Sequence, residues 1–320
     1  MNRSTTVLMF LLGLAATAAA EPRPPSPAPA APADAMPLVV SPAWLAAHLA
    51  DPGVVVLHVG EPASYATHIA GARRVDLSDI SVSMQGKDGL HLELPPPDDL
   101  RRRLEALGIS TGSRIVVCPA DELASATRVV FTLYAAGLGD RTALLDGGLP
   151  AWLRDHRAVT AAAPPARTGK LAPLAMRPIV VDANTVLSRL GKPGFAVIDA
   201  RDRAYYDGTQ TGQSHDRKHR TGHIAGALSV PFDSVFDEQG VLRPADDLRA
   251  RFTKAGVKPG DTVIGYCHIG QQATAMLFAA RRAGYRVMLY DGSFEDWSLN
   301  HPAYPVETSA GAAPRSEQAP

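Results

Sequence analysis

The feature that most constrains the fold is an internal repeat. Two stretches of the first half recur in the same order in the second half: 54–77 recurs within 195–232, and 114–152 recurs at 262–297. Only the second copy carries an insertion, TQTGQSHDRKH at 209–219. A period this long lies above the range of stacked small repeats and predicts two similar domains.

The repeat and the composition together set the predicted domain boundaries. We place the two domains at 37–158 and 175–308, joined by a Pro/Ala-rich linker at 159–174 and followed by a tail at 309–320. A chain of 320 residues with 46% hydrophobic residues is long enough for two cores. Its formal net charge of zero gives no indication of a nucleic-acid partner.

The N-terminus has the pattern of a secretory signal peptide. Arg3 precedes the apolar run VLMFLLGLAA, and the small residues ATAAA precede Glu21, so we predict a signal peptide at 1–20. The prolines and alanines of 21–36 predict an extended spacer. The mature protein is expected to be periplasmic or secreted, with no stable membrane anchor. An uncleaved anchor is the alternative, although the apolar run is short for a membrane span.

Each copy alternates short β-branched runs with longer helical stretches. One such stretch is SPAWLAAHLA, with Ser41 as N-cap and Pro42 at the first helical position. Strands that alternate with helices predict an α/β fold, in which a mainly parallel sheet is covered by helices on both faces. Ligands of such sheets bind beyond the carboxyl ends of the strands.

Cys267 lies at that edge, between the predicted strand TVIGY and a predicted helix that ends at Gly284. Backbone N–H groups at a helix N-terminus lack helical partners, and with the helix dipole they favour a thiolate over a thiol. Gly270 would let the backbone curl around the sulfur. The spacing therefore predicts a nucleophilic cysteine. The alternative from spacing alone is a small apolar residue that ends a strand.

The unit of strand, cysteine, loop and helix is accompanied by GHIAGA upstream and YDGSFEDW downstream. Together these motifs resemble the rhodanese family, and the duplication is similar to the tandem-domain thiosulfate and 3-mercaptopyruvate sulfurtransferases. The resemblance covers roughly residues 38–307. It implies two rhodanese-like domains and a Cys267 persulfide that carries sulfur from a small donor to a thiophilic acceptor such as cyanide or a thiol. It implies no cofactor, and we expect a monomer.

The resemblance also implies that the first copy is catalytically silent. Aligning Cys118 with Tyr266 leaves Pro119 at the catalytic position, and PADELASA has neither a thiol nor a glycine turn. We expect Cys118 to be a buried apolar residue. A disulfide with Cys267 is not expected, because this chain is neither small nor rich in cysteine.

The loop CHIGQQ should help to select the donor, and we assign His268, Ile269, Gly270, Gln271 and Gln272 to substrate binding. The loop is neither the cationic type that suits thiosulfate nor the small neutral type of mercaptopyruvate enzymes. His268 is either protonated beside the thiolate or faces solvent without a role.

The arginine that binds mercaptopyruvate in the family aligns with Tyr205, which favours thiosulfate over 3-mercaptopyruvate. We favour Arg201 and Arg220 as anion contacts over the other arginines of the region, Arg203 and Arg217. Asp199 resembles a family carboxylate that organises the loop surroundings.

Two other functions and one further residue role are consistent with parts of the sequence. A cysteine phosphatase would need an arginine where this chain has Ala273. A persulfide carrier without turnover of its own uses the same cysteine and stays open. His223 could serve as a general base, but His68 occupies the same motif in the silent copy, so a shared scaffold role is favoured. No metal-ligand spacing and no phosphate-binding loop is recognisable.

Overall fold

The structure is a computed structural model, and it describes residues 35–84, 86, 89–214 and 217–309. The predicted signal peptide at 1–20 lies outside the described residues, as do most of the spacer at 21–36 and nearly all of the tail at 309–320. In the described part of the chain, no helix is both long enough and apolar enough to cross a membrane.

The elements of the two copies follow each other along the chain. The strands are β1 Val39–Val40, β2 Val54–Val59, β3 Arg73–Val75, β4 Arg114–Pro119, β5 Thr142–Leu145, β6 Val180–Val181, β7 Phe195–Asp199, β8 Gln213–Ser214, β9 Arg217–Lys218, β10 His223–Ile224, β11 Leu228–Ser229, β12 Thr262–Tyr266, β13 Arg286–Tyr290 and β14 Val306–Glu307. The helices are α1 Pro42–His48, α2 Leu77–Ile80, α3 Pro97–Ala106, α4 Leu123–Ala135, α5 Gly148–Arg154, α6 Ala183–Arg189, α7 Arg203–Asp207, α8 Ala245–Ala255, α9 Gln272–Arg282 and α10 Ser293–Leu299.

Each copy forms a five-stranded parallel sheet, and the two sheets have equivalent strand orders. The first runs β1-β5-β4-β2-β3 and the second β6-β13-β12-β7-β11. The predicted α/β fold with two parallel sheets is confirmed. Helix α1 begins as predicted, because the Ser41 side chain accepts a hydrogen bond from the Trp44 N–H. The insertion of the second copy contributes the antiparallel pair of β8 and β9.

The strand register places the two copies in the alignment that the sequence predicts. In the first sheet His58 pairs with Cys118, and in the second sheet Asp199 pairs with Tyr266. Cys118 and Tyr266 are therefore structural equivalents. Pro119, the last residue of β4, stands where the second copy has Cys267.

The core has one shared part and two separate parts. Side chains from both sheets, together with those of α4 and α9, form a single apolar cluster that spans the two copies. Alternate residues of β4 face opposite sides, so Val117 lies in this shared cluster while Val116 and Cys118 lie in a second cluster on the outer face of the first sheet. A third cluster, with Ile264 and Trp297, covers the outer face of the second sheet.

Helices α4 and α9 are equivalent elements that meet where the copies join. The hydroxyl oxygens of Thr127 and Thr274 lie 3.0 Å apart in a buried hydrogen bond. Both residues stand ten positions before the glycine that follows their helix, Gly137 and Gly284, so the contact is between matching positions. The linker at 159–174 contains no helix or named strand, and its Leu171 is buried in the shared cluster.

Candidate active site

Cys267 follows β12 directly, and the loop that it begins leads into α9, as the sequence predicts. Gly270 adopts a φ of +79°, in the left-handed region that favours glycine. This backbone turn wraps the loop around the sulfur. The Cys267 side chain is fully buried.

The N–H groups of Ile269, Gly270 and Ala273 donate to the Cys267 sulfur and lower its pKa. Burial is the larger effect, and it leaves the pKa of the thiol above its ordinary value. In Cys118, burial alone raises the pKa to about 12. The predicted N–H cradle is therefore present around one of the two thiols. Both cysteines are free thiols.

The first turn of α10 holds the start of the loop through hydrogen bonds. The Cys267 N–H donates to the Ser293 hydroxyl at 3.2 Å, and the Phe294 N–H donates to the Cys267 carbonyl at 3.0 Å. The Glu295 N–H donates to the His268 carbonyl at 3.0 Å. Ser293, Phe294 and Glu295 lie in the middle of the YDGSFEDW motif. The motif therefore anchors the first two residues of the loop.

Asp199 and Arg201 form a buried ion pair beside the loop. The Asp199 carboxylate accepts from the Arg201 backbone N–H at 2.9 Å and from Nη2 at 2.6 Å. Arg201 Nη2 also donates to the Gly222 carbonyl at 2.7 Å, and its guanidinium lies 4.0 Å from the centre of the Phe294 ring. Because this charge is buried and already paired, the geometry argues against the predicted role of Arg201 as an anion contact. Asp199 organises these surroundings by holding the arginine.

The contacts of Arg220 likewise argue against its predicted role as an anion contact. Its two terminal nitrogens donate to four backbone carbonyls, at distances of 2.6 Å for Trp297 and Tyr304, 3.2 Å for Pro302 and 3.3 Å for His301. A guanidinium with both ends occupied in this way fixes the chain after α10. The sequence shows that Arg220 lies just before the GHIAGA motif, but the carbonyl groups that it binds lie about eighty residues further along the chain.

The surroundings of His268 argue against the protonated alternative. Burial and the nearby Arg201 lower its pKa to about 4. The ring is not free in solvent either, because it packs edge-on against Tyr205 at 4.6 Å between ring centres. The ring of His219, from the insertion, lies 6.1 Å away, and burial lowers its pKa to about 4 as well. The rings of Tyr205, His268 and His219 thus form one group beside the start of the loop.

The last two residues of the predicted loop have different surroundings. Gln271 reaches the first copy, where its Nε2 donates to Glu122 Oε2 at 2.8 Å and to the Ser125 hydroxyl at 2.9 Å. Gln272 is the first residue of α9, and its buried Oε1 has no hydrogen-bond partner among the described residues. Ile269 is half-buried.

A residue that the sequence analysis missed is Arg128, on α4 of the first copy. Its Nη1 donates to the Gly270 carbonyl at 3.1 Å and to Asp291 Oδ1 at 2.5 Å, and its Nη2 donates to the Leu92 carbonyl. Arg128 and Asp291 are both buried. A single arginine inside the otherwise apolar helix LASATRVVFTLYA was the available signal.

His223 and His68 share two contacts in their two copies. The Nδ1 atom of each lies 2.7 Å from a tyrosine carbonyl oxygen, that of Tyr206 for His223 and that of Tyr65 for His68. The same tyrosine stacks on each imidazole, with ring centres 3.6 Å apart for His223 and 4.0 Å apart for His68. These shared contacts support the predicted scaffold role. The rings differ at Nε2, which in His223 lies 3.2 Å from Glu307 Oε1 and in His68 has no hydrogen-bond partner among the described residues. Across the described ranges, no group of three or more His, Cys, Asp or Glu residues is placed to hold a metal ion.

Comparison with known proteins identifies both copies. The family model described as Rhodanese-like domain matches residues 41–155 and 182–300. The chain is 33% identical to a probable 3-mercaptopyruvate sulfurtransferase of Pseudomonas aeruginosa, over 82% of this chain and 95% of that protein. It is 30% identical to a thiosulfate sulfurtransferase of Azotobacter vinelandii, over 85% of this chain and 97% of that protein. The crystal structure of YnjE shares the fold with a TM-score of 0.75 at 24% identity, covering 85% of this chain and 68% of that chain.

Proposed function

Since the chain belongs to the rhodanese family, we propose that it is an exported sulfurtransferase that moves the sulfane sulfur of thiosulfate to cyanide or a thiol through a Cys267 persulfide. Relatives of about 30% identity over most of the chain are named sulfurtransferases, and they support sulfur transfer in general. They imply a small sulfur donor and an acceptor as substrates. The observation that carries the proposal for Cys267 is its cradle of three N–H groups at the start of α9.

The transfer takes two displacement steps. In the first, the Cys267 thiolate attacks the outer sulfur of thiosulfate, a new S–S bond forms, and the S–S bond of thiosulfate breaks. Sulfite leaves with the electron pair of that bond. In the second, cyanide attacks the outer sulfur of the persulfide, a C–S bond forms, and thiocyanate leaves. The electron pair of the broken S–S bond returns to Cys267 as a thiolate.

The N–H cradle supports both steps, because negative charge lies on the Cys267 sulfur before the first and after the second. Burial raises the pKa of the thiol, so the N–H donors and the N-terminus of α9 must supply the stabilisation that water does not. Asp199 opposes the thiolate, and its pairing with Arg201 limits that effect. No step requires a cofactor.

Tyr205 is the main support for thiosulfate as donor. It takes the position of the arginine that the family uses for the mercaptopyruvate carboxylate, and it packs on His268. A lost charge-assisted hydrogen bond of that kind is worth about 1.5–3 kcal/mol, or roughly ten- to a hundredfold in rate. Thiosulfate can instead use the general positive potential of the loop N–H groups and of the α9 N-terminus.

3-Mercaptopyruvate is the second candidate donor, favoured by the name of the Pseudomonas relative. Arg217 of the insertion is the cation that would have to bind the carboxylate of 3-mercaptopyruvate. The Arg217 side chain instead donates from Nη2 to the Gly89 carbonyl of the first copy, at 2.9 Å. This contact argues for thiosulfate.

The decisive experiment is intact-protein mass spectrometry after exposure to each donor, with sulfite or pyruvate release measured in parallel. We expect thiosulfate to add the mass of one sulfur atom to the wild type and to the Cys118→Ser variant, and nothing to Cys267→Ser. The ratio of the two kcat/KM values should favour thiosulfate. A sulfur adduct on Cys267 without sustained formation of thiocyanate from cyanide would indicate a carrier. Retained sulfur transfer by Cys267→Ser would refute the mechanism.

Export and the monomeric state are parts of the proposal that need their own measurements. The signal-peptide pattern supports a mature N-terminus at Glu21 and a periplasmic or secreted location. N-terminal sequencing of the native protein and fractionation of cells test this. Met1 on protein from the cytosol would refute export. Sedimentation of the mature protein tests the expected monomer.

A further inference from the structure

Arg128 links three separate segments at the back of the catalytic loop. Besides the Gly270 carbonyl, its guanidinium binds the carboxylate of Asp291, which follows β13, and the carbonyl of Leu92, in the stretch between α2 and α3. The Leu94 N–H donates to the other oxygen of the same carboxylate, at 2.8 Å. The catalytic loop is thus joined to the first copy through one buried arginine.

The N–H and the carbonyl of Gly270 bind different partners. Its N–H donates to the Cys267 sulfur, whereas its carbonyl accepts from Arg128. The φ of +79° directs the two groups to opposite partners. The space behind this residue is full, because a Cβ on it would lie 2.7 Å from the Asp291 carbonyl oxygen and 3.0 Å from Arg128 Nη1. The carbonyl contact and the crowding together restrict rotation of the two peptide groups at Gly270.

From these contacts we propose that Arg128 is a positioning residue, which holds the Gly270 carbonyl so that the Gly270 N–H stays directed at the Cys267 sulfur. The first copy then contributes to the reactivity of the second copy as well as to its packing. The inference rests on the proposed function only in taking Cys267 as the nucleophile.

The charges around the loop give the direction of the expected effect. The groups beside the Cys267 thiol are Asp199, Arg201, Tyr266 and His268. Those beside Arg128 are Asp291 and Glu93, and Glu93 in turn lies near Glu295 and Asp296. Removing Arg128 leaves the buried Asp291 carboxylate without its counterion and frees the Gly270 peptide. Both changes disfavour a thiolate, so the apparent pKa of Cys267 should rise.

The test measures alkylation of Cys267 by iodoacetamide as a function of pH, in a Cys118→Ser background that leaves one thiol. Iodoacetamide is neutral and does not use the donor site, so the readout is independent of sulfur transfer. We expect Arg128→Met to raise the apparent pKa by about one unit, which makes alkylation about tenfold slower at pH 7. Arg128→Lys should fall between Arg128→Met and the wild type, because it keeps the charge without the forked geometry.

The matched control is Arg281→Met. Arg281 belongs to α9 at the same junction, and its guanidinium lies 3.6 Å from the centre of the Tyr134 ring. Among the described residues, no side-chain hydrogen bond or ion pair joins Arg281 to the loop. Its removal should leave the pH profile of alkylation unchanged. Equal shifts in the two variants would overturn the proposal, because loosening of the junction would then account for both.

A second variant covers the case in which Arg128→Met does not fold. Arg128→Met combined with Asp291→Asn removes both members of the buried pair, so no isolated charge is left. The double variant still lacks the contact to the Gly270 carbonyl, and its apparent pKa should also rise. An unchanged pH profile in the folded double variant would refute the positioning role. If the wild-type thiol is alkylated as expected but forms no persulfide, the proposed function fails while this inference stands.

Discussion

Gly270→Ala tests the geometry of the catalytic loop most directly. Alanine at this φ costs about 1–2 kcal/mol, because its Cβ crowds the carbonyl in the left-handed region. The new Cβ would also lie 2.7 Å from the Asp291 carbonyl oxygen, and neighbouring backbone cannot move aside as a flexible side chain can. Overpacking of this kind costs about a further 1–3 kcal/mol. The total expected loss in the free energy of unfolding is about 2–5 kcal/mol.

Gly284→Ala is the matched control for this change. Gly284 follows the other end of α9 with a φ of +93°, and a Cβ placed there meets no atom within 4 Å. It should therefore lose only the backbone contribution, about 1–2 kcal/mol, and keep its activity. Urea unfolding of both variants measures the difference in the free energy of unfolding.

The loss of activity should be larger than the loss of stability implies. The Cβ must push the loop away from Asp291, and this displaces the Gly270 N–H from the Cys267 sulfur. We expect persulfide formation by folded Gly270→Ala to be at least about tenfold slower than in Gly284→Ala. The reasoning fails if the two variants unfold at the same urea concentration with equal slopes, or if they form persulfide at the same rate.

Three further predictions follow from buried or bridging groups. Cys118→Ser should keep sulfur transfer within a few-fold, while the buried hydroxyl costs about 1–3 kcal/mol in urea unfolding, and a large loss of transfer would contradict the silent role of the first copy. Burial and the nearby Asp291 raise the pKa of Glu93 to about 8. Below that pH the folded protein keeps the proton on Glu93, whereas the unfolded chain already loses it at the ordinary pKa of a carboxyl group. Stability should fall as the pH rises from about 5 to 8 on account of this group, and Glu93→Gln should therefore be more stabilising at pH 8 than at pH 5 in urea titrations. Arg217→Ala should leave kcat/KM for thiosulfate nearly unchanged, because Arg217 binds the Gly89 carbonyl, and a mercaptopyruvate preference that disappears in this variant would show that the donor is wrongly assigned.

The repeat allowed most of the fold to be predicted from the sequence. Aligning the copies placed Cys118 with Tyr266, and the strand register gives the same pairing. The alternation of strands and helices, the loop after β12 and the cap at Ser41 depend on local sequence, and all three agree with the structure. Local propensity and the spacing of motifs were sufficient for these features.

The roles of the charged side chains could not be predicted in the same way. The sequence favours Arg201 and Arg220 as anion contacts, but their partners are a buried carboxylate and backbone carbonyls brought together by the tertiary fold. The charge of His268 depends on burial, which its neighbours in the sequence do not reveal. An arginine is informative about substrate only when its nearest acceptors are known.

The contact between α4 and α9 relates Arg128 of the first copy to one residue of the second. Thr127 and Thr274 meet as matching residues, so the positions that follow them are equivalent. These positions hold Arg128 in the first copy and Ala275 in the second. The asymmetry matches that of the two loops, because the loop that faces Arg128 carries Cys267 and the equivalent position of the first copy carries Pro119. An arginine is therefore found where there is a thiol cradle to hold in place, and alanine is found where there is none.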